Sequence, residues 1–459
     1  MSKYQSYTTY VSLWNKSFPS HWSVLPMYAL AKEKSICGCV DLPLLSVYLD
    51  VGVIPFSAKA EKRTNVTSKD LSKYQRVDCG DFVLNNQQAW RGSVGISFDT
   101  GIVSPAYIVL SMNDMLNSRY ANYLLRSRIM VDQYLINSKS VGSIQRNIYW
   151  PALKRTSVPV PPREEQDQIV RFLDWKVSNI NKLINIKKNM IALLENRKKS
   201  IINGVLAGGA SNAVCKESII EGLLTIPTTW DERPLKYYAS SNDESLSSKT
   251  PSNYKFNYID ISTTGFRKLK KEPVFTTFEE APSRARRIVR EGDTILSTVR
   301  TYLKAILYID NTKDGNVVST GFAVLRPKDG VYPPLLSYAL SCDYFINAVI
   351  RNSVGVSYPA INDKKLLSLK LALPKSYDEQ VKVYEQIMAL TESTDITIKY
   401  LQDMVNGLQD LKNRLVADTV TGKIDVRGIE IPEYEFVDED NDNVDENLEQ
   451  GADEPPEEE

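Results

Sequence analysis

Histidine is nearly missing from this sequence: among 459 residues, His21 alone carries an imidazole. The shortage removes the commonest metal ligand and the commonest general base, which makes His-built metal centres and Ser-His or Cys-His nucleophiles improbable. Cysteine is scarce too. There are five, an odd number, and Cys37-Gly-Cys39 has neither the two-residue gap nor the second pair that a zinc site wants. All five read as reduced thiols, mostly buried, in keeping with a reducing compartment. Long apolar runs are absent, "AYIVL" at 106–110 being typical of the longest, far short of the ~20 residues of a membrane span. The opening "MSKYQSYTTYVSLW" lacks the basic-then-apolar layout of a secretory signal, so a cytoplasmic protein is expected.

Nucleotide and cofactor loops are missing as well. No GxxxxGK[ST] is present, and no GxGxxG follows a strand pattern. "VYPPLLSY" (331–338) resembles the Pro-Pro-aromatic loop of adenine methyltransferases, but it has neither the Asn or Asp before the prolines nor the aromatic after them. It reads instead as a helix start.

Net charge is zero, from 56 basic and 56 acidic side chains, yet the distribution is lopsided. Residues 433–459 hold fourteen Asp or Glu and no Lys or Arg, so the rest of the chain is basic by fourteen. A basic body suits a polyanionic partner. The acidic end, from 427 to 459, is too poor in apolar residues to bury a core and is expected to be a disordered tail.

What the chain does have is a repeat. "FPSHWSVLPM" (18–27) is echoed by "IPTTWDERPL" (226–235), and "VDCGDFVLNN" (77–86) by "VREGDTILST" (289–298). "VSPAYIVL" (103–110) is echoed by "VSTGFAVL" (318–325), and "SVGSIQRNI" (140–148) by "SVGVSYPAI" (353–361). "PREEQDQIVRFL" (162–173) answers "KSYDEQVKVYEQI" (375–387), setting Glu165-Gln166 against Glu379-Gln380. The order is constant, and the offset drifts only as loop insertions would make it, so the chain is a tandem duplication with a unit of about 210 residues.

Each unit begins with short β-like runs among turn residues and ends in one long helix. "NDMLNSRYANYLLRSRIMVDQYL" and "PPLLSYALSCDYFINAVIR" read as short helices inside the first part. From 164 to 205 there is no Pro and, before Gly204, no Gly; heptad seam positions from Val170 through Ile184 to Val205 are apolar at nine of eleven places. The matching seam from Tyr384 through Ile398 to Thr419 is similar but less clean. Two such helices at matched positions are expected to pair with each other, antiparallel. The resulting expectation is an α+β chain with a recognition unit at 1–162 and its long helix at 163–209. A linker and second unit follow at 210–373, then a second long helix at 374–426 and the tail.

The positive chemical signals are polar and basic loops at matching places. After the first Gly-Asp strand, "NNQQAWRGSVG" offers Asn85, Asn86, Gln87, Gln88 and Arg91, and after the second, "STVRTYLKA" offers Arg300 and Lys304. The later echo adds Gln145 and Arg146 in one copy and Ser357 and Tyr358 in the other. Asn and Gln can grip adenine, and Arg guanine, with two hydrogen bonds at a base edge. "PSRARRIVR" supplies Arg284, Arg286 and Arg287, and "GFRKLKKEP" supplies Arg267, Lys268, Lys270 and Lys271, as phosphate contacts. Any one basic run taken alone is more often a solvated face; their recurrence in both units is what points to nucleic acid.

The order of a β-rich module, "PVPPREEQDQIVRFLDWKVSNINKLINIKKNMIALLENRKKSIINGVLAGG", a second module and "LPKSYDEQ...LKNRLVADTVTGKID" resembles the specificity subunit of type I restriction-modification systems, over roughly residues 18–426. The first copy ends "LAGG" where the second has "VTGK", and the second enters its helix with "LPKSYDEQ" in place of the Pro-Pro form. The resemblance implies two tandem mixed α/β target recognition domains separated by two long antiparallel coiled-coil helices. Each domain would read one half of a split, asymmetric DNA site. It implies two methyltransferase partners carrying S-adenosylmethionine and two motor-nuclease partners using ATP and Mg, with no cofactor and no active site in this chain. Two other readings stay open on the residues alone: an adenine methyltransferase-like enzyme with an unrecognised cofactor site, and a coiled-coil adaptor that never touches DNA.

Overall fold

The computed structural model describes residues 3–10, 16–49, 51–58, 70–141, 145–208, 214–355 and 358–438. The chain divides into two compact units, Met1–Asn189 with Leu401–Glu459, and Met190–Tyr400.

In the first unit, β1 (Ser23–Pro26) pairs with the last strand of the module, and β2 (Ala31–Lys34) begins a four-stranded sheet. A hairpin, β3 (Leu45–Tyr48) and β4 (Gly52–Pro55), is followed by β5 (Gln75–Val77), β6 (Phe82–Asn85), β7 (Val94–Ile96), β8 (Gly101–Val103) and β9 (Tyr107–Met112). The sheet order is β2-β9-β6-β7, antiparallel throughout, with Leu84 facing Ile108 on one side and Val94 on the other. Helices α1 (Ser118–Leu125) and α2 (Arg128–Ile136), the hairpin β10 (Ser138–Val141) and β11 (Gln145–Ile148), and β12 (Ser157–Val160), which pairs with β1, complete the module before α3 (Arg163–Leu206).

The second unit repeats the plan. β13 (Trp230–Pro234) corresponds to β1, and β14 (Ala239–Ser241) to β2. Next come β15 (Lys255–Ile259), β16 (Val274–Thr277), β17 (Ala285–Ile288), β18 (Thr294–Ser297), β19 (Ile306–Tyr308), β20 (Val317–Ser319) and β21 (Phe322–Pro327). One sheet runs β14-β21-β18-β19, with Leu296 between Ala323 and Ile306; a second runs β16-β15-β20-β17. Then α4 (Pro333–Leu340), α5 (Asp343–Arg351), β22 (Lys370–Pro374) paired with β13, and α6 (Tyr377–Val420) follow.

The doubled Gly-Asp phrase is one turn built twice. Gly80 and Gly292 take φ of +94° and +90°, a left-handed conformation that favours glycine. The amide of Asp78 donates to Asp81 Oδ2 at 2.8 Å, and that of Arg290 to Asp293 Oδ2 at 2.8 Å. Both aspartates are buried, and each is neutralised from another strand of its sheet: Asp81 by Lys34 of β2, two strands away, and Asp293 by Arg326 of the adjacent β21. The turn therefore needs its own counter-ion in each copy, because a buried carboxylate without one is costly.

Each stretch read as one short helix is two, α1 with α2 and α4 with α5. The breaks fall where Ser127 Oγ donates to Leu124 O at 2.6 Å and Ser341 Oγ to Tyr338 O at 2.7 Å, hydroxyls competing for carbonyls at the helix end.

The entry to each long helix is held by the Glu-Gln pair. Glu165 accepts from Trp22 Nε1 at 3.0 Å and from the Tyr4 hydroxyl, and meets His21 Nε2 at 2.7 Å; Glu379 accepts from Trp230 Nε1 at 3.1 Å and Thr229 Oγ1 at 2.8 Å. Gln166 accepts from Asn117 N at 2.7 Å and donates to Met115 O and Pro161 O, both at 2.9 Å. Gln380 accepts from Tyr332 N at 2.8 Å and donates to Gly330 O and Pro374 O, both at 3.1 Å.

Within the first unit, Lys412 of α6 donates to Asn181 of α3 at 3.2 Å, and Gln168 near the start of α3 donates to Val426 O, just past the end of α6. Within the second, Lys198 pairs with Asp395, while Ile202, Val205 and Leu206 share a core with Ile387. In both, the two helices run antiparallel. Residues 427–438, expected in a disordered tail, are instead extended chain laid on α3. Gln168 Nε2 donates to Ile429 O at 2.8 Å, Asn181 Nδ2 to Val437 O at 3.1 Å and Asn185 Nδ2 to Asp438 O at 2.9 Å. Ile429 and Ile431 pack on the core, apolar anchors that the net charge of the region conceals. The rest of the acidic stretch lies outside the described residues.

The cysteines also differ from expectation. All are free, but only Cys342 is buried; Cys39 is half-buried, and Cys37, in an isolated bridge to Gln75, Cys79, in the turn before Gly80, and Cys215, on a strand of a two-stranded sheet, are exposed. Among the described residues no helix is long and apolar enough to cross a membrane.

A pH effect follows from the Asp293 cluster. Hydrogen bonds from Arg290 and Arg326 pull the Glu244 carboxyl from 4.5 down to about 2. A carboxyl depressed on folding stabilises above its unfolded pKa and loses that contribution as pH falls toward the folded one. Glu244→Gln is therefore expected to lower stability at pH 7 by about 1 kcal/mol, given solvent screening of a partly exposed pair, and to flatten the loss between about pH 4.5 and 2. Urea midpoints measured across that range check both effects.

Candidate nucleic-acid interface

Directly after β6 the chain makes a 3-10 turn at Ala89–Arg91, entered from Gln88 and closed by Gly92 at φ +110°. Directly after β18 it makes the corresponding turn at Thr301–Leu303, entered from Arg300 and closed by Lys304. Gln88 and Arg300 thus hold one structural position, as do Trp90 and Tyr302. Arg300 and Lys304 both stand at φ +53°, where a side chain costs roughly 1–2 kcal/mol relative to the ordinary regions. Such strain in a loop tip is a mark of functional sites.

In the first unit the tip meets the β10–β11 hairpin: the Ile148 amide donates to Asn86 Oδ1 at 2.8 Å. Asn85 Oδ1 accepts from the Gln87 amide at 3.2 Å, so Asn85 and Asn86 both shape the loop. Gln87 and Arg91 are exposed, Arg91 lying 4.7 Å from the Trp90 ring centre, and Trp90 Nε1 donates to Gln87 O at 2.9 Å. The Gln88 side chain is partly buried, its Oε1 buried without a hydrogen-bond partner among the described residues. Arg146 stands on β11 opposite Ser140, and the side chain of Gln145 lies outside the described residues.

In the second unit the tip meets the segment after α5. Val299 and Val354 both bridge to Ala360, the Ile361 amide donates to Thr298 O at 2.9 Å, and Thr301 Oγ1 bonds Ser353 Oγ at 2.8 Å. Arg300 lies 4.6 Å above the ring of Tyr358, which is 60% exposed. Beside them is an open hollow of about 650 Å³ lined by Arg351, Asn352, Val354, Asn362 and Lys365 among others. These cations were not singled out from the sequence; "VIRNS", directly before the repeated "SVG", was the available signal. Ser357 lies outside the described residues.

Other basic residues are engaged by the protein itself. Arg284 pairs with Asp260 at 2.9 Å, and Arg286 lies 4.5 Å over Phe278. Arg287 donates to Phe322 O and lies 3.9 Å from Asp363, and burial pulls its pKa down. Arg284 remains close to the tip, since the Thr320 amide donates to its carbonyl and the Thr298 amide to Gly321 O, both at 2.8 Å. Arg267 leaves the phosphate-contact set. Its φ is +57°, its guanidinium lies 3.6 Å over Tyr338, and it donates to Ser337 O at 3.1 Å and Ser341 Oγ at 3.0 Å. Burial lowers its pKa from the usual arginine value. Lys268 pairs with Glu195 of α3 at 3.7 Å, leaving it exposed at the same loop. No group of three His, Cys, Asp or Glu placed to hold a metal ion occurs among the described residues.

Against known proteins, the family model for the type I restriction modification DNA specificity domain matches residues 39–196 and again 227–403. The chain belongs to this family. It is accordingly a type I specificity subunit with two tandem target recognition domains, a non-catalytic member of its system. It is similar to the type I restriction enzyme MjaVIII specificity subunit of Methanocaldococcus jannaschii, 23% identical over 440 residues, 90% of this chain and 95% of that one. A 138-residue stretch is 26% identical to the type I restriction enzyme HindI specificity subunit of Haemophilus influenzae, 29% of either chain. In fold it is similar to a chain solved in work on complex assembly and conformational transition of the type I R-M system. That likeness has a TM-score of 0.51 at 16% identity and covers 89% of this chain and all of that one.

Since Arg267 staples its loop to α4, Arg267→Ala is expected to destabilise the specificity subunit by about 2 kcal/mol, from lost cation–π and hydrogen-bond contacts. The salt dependence of DNA binding should not change. Thermal melts beside binding isotherms at several salt concentrations check this.

Proposed function

We propose that this specificity subunit reads a bipartite, asymmetric DNA site, each unit taking one half-site with its tip, and that it brings the methyltransferase and motor-nuclease subunits to that site. The observation that carries the reading is the pair of tips: each opens a 3-10 turn after the strand that follows the Gly-Asp phrase, and the entry position is filled by Gln88 at φ −123° in one copy and by Arg300 at φ +53° in the other. A glutamine suits adenine and an arginine guanine at a base edge. Exposed Arg91 and Lys304 and half-buried Arg146, with Arg284 and Arg286 behind, supply phosphate contacts. The chemistry belongs to the partners: two methyltransferase subunits bring S-adenosylmethionine, and two restriction subunits bring ATP and Mg. Within the second unit the long helices leave Met190, Leu193, Ile396 and Tyr400 exposed, an apolar surface suited to a partner subunit.

The antiparallel helices serve as the ruler for the unread spacer. A seven-residue block inserted at matched places in α3 and α6 adds about 10 Å of helix. Mapping methylated sites by single-molecule sequencing should then show a spacer longer by about three base pairs with both half-sites intact. An unaltered spacer would count against the ruler.

Arg300→Gln or Gln88→Arg is expected to change the bases accepted in one half-site only, whereas Arg286→Ala weakens binding to all sequences alike and reduces the salt slope by about one. The same methylation map, with binding isotherms, reads both outcomes. Base choice that moved with Arg286 and not with Arg300 would reverse the assignment of reading and clamping residues.

A further inference from the structure

The middle of each tip is aromatic: Trp90 in the first unit, Tyr302 in the second. The residues around them diverge in a way that suits unlike half-sites, so a feature common to both tips has a task common to both, one that does not depend on base identity.

In the second unit the geometry is explicit. Tyr302 is 52% and Leu303 40% exposed at the apex of the turn, while Thr301 before them and Ala305 after them are buried. The apex is rigid. The Ser297 amide donates to Ala305 O at 2.9 Å, the Leu303 amide to Arg300 O at 2.9 Å and the Lys304 amide to Thr301 O at 3.0 Å; Thr301 is tied to Ser353 by its hydroxyl. Two further exposed apolar side chains, Tyr358 and Val354 at 81%, stand on the segment bridged to the tip. Cations surround this patch: Arg300 and Lys304 flank the apex, and Arg351 and Lys365 line the neighbouring hollow. An apolar point on a rigid turn, ringed by positive charge, is the arrangement that lets a side chain enter a base stack while cations hold the backbone on either side.

We infer that Tyr302, with Leu303 beside it, presses between adjacent base pairs of the half-site and unstacks one step, and that Trp90 does the same for the other half-site. The inference rests on the DNA-reading assignment and adds a shape-based component to it. Half-sites containing an easily unstacked pyrimidine–purine step at that position are favoured without any hydrogen bond to those bases.

The test uses the full chain assembled with its methyltransferase partner and a duplex carrying its mapped site. 2-Aminopurine, which brightens on unstacking, replaces single purines of the half-site read by the second unit, the methylated adenine excepted. At one step, binding is expected to raise fluorescence roughly threefold; Tyr302→Ala with Leu303→Ala removes the rise and weakens binding about tenfold, with salt dependence unchanged. Both side chains lie outside the core, so the thermal midpoint of the double variant stays at the wild-type value. Tyr302→Trp, copying the first unit, retains the rise. A double variant that keeps the rise, or a wild-type complex that binds with the usual salt dependence and shows no rise at any position, overturns the wedge and leaves the DNA-reading assignment standing. Failure of the wild-type complex to prefer its own mapped site overturns both.

Discussion

A buried glutamine at the foot of each long helix is the joint on which the rest depends. Gln166 and Gln380, 1% and 3% exposed, each bond three backbone groups, using both N–H donors and accepting once. One is the amide that opens α1 or just precedes α4, one a carbonyl of the preceding loop, and one a carbonyl at the end of the strand that feeds the helix. Replacing either by an apolar residue leaves those groups buried and unpaired, at about 1–3 kcal/mol each. The neighbouring glutamate fastens the same helix to the buried tryptophan of the opening strand region. The long helix is thereby locked at its start to the module it follows, which is what the proposed ruler requires.

The lock and the Gly-Asp turn divide the molecule into conserved plan and variable tip. Behind the tip the two copies agree on the left-handed glycine and on the aspartate accepting from the amide three residues earlier, and each aspartate has a cation from another strand of its sheet, Lys34 of β2 in one copy and Arg326 of β21 in the other. At the tip they part, with Gly92 where Lys304 stands and Gln88 where Arg300 stands. On the proposed reading, this division lets a few tip side chains change the recognised site without disturbing the frame behind them.

Much of the frame was legible in the sequence because it is written in residues with few structural alternatives. Trp22 and Trp230, the Gly-Asp pairs and Glu165-Gln166 with Glu379-Gln380 all stand at matched places, and apolar seam residues such as Ile184 and Ile398 are buried. The tips were found for the same reason, as the loops following a repeated phrase. What could not be read was pairing between side chains. Arg267 looks like its lysine neighbours in sequence, yet an aromatic ring and two serines some seventy residues away claim it. The segment 427–438 looks like acidic tail until Asn181 and Asn185, far upstream on a helix, supply donors for its carbonyls. The helix breaks at Ser127 and Ser341 are equally invisible to apolar spacing, because the deciding interaction is a hydroxyl meeting a carbonyl three residues back.

The central claim is that two like scaffolds read unlike half-sites through their tips alone. Its most direct test is to replace residues 86–92 with residues 298–304 and map the methylated sites of cells carrying the chimera and its partner subunits. The account predicts that the half-site assigned to the first unit shifts toward the sequence of the second, with the other half-site and the spacer unchanged. A map identical to that of the parent chain would contradict it.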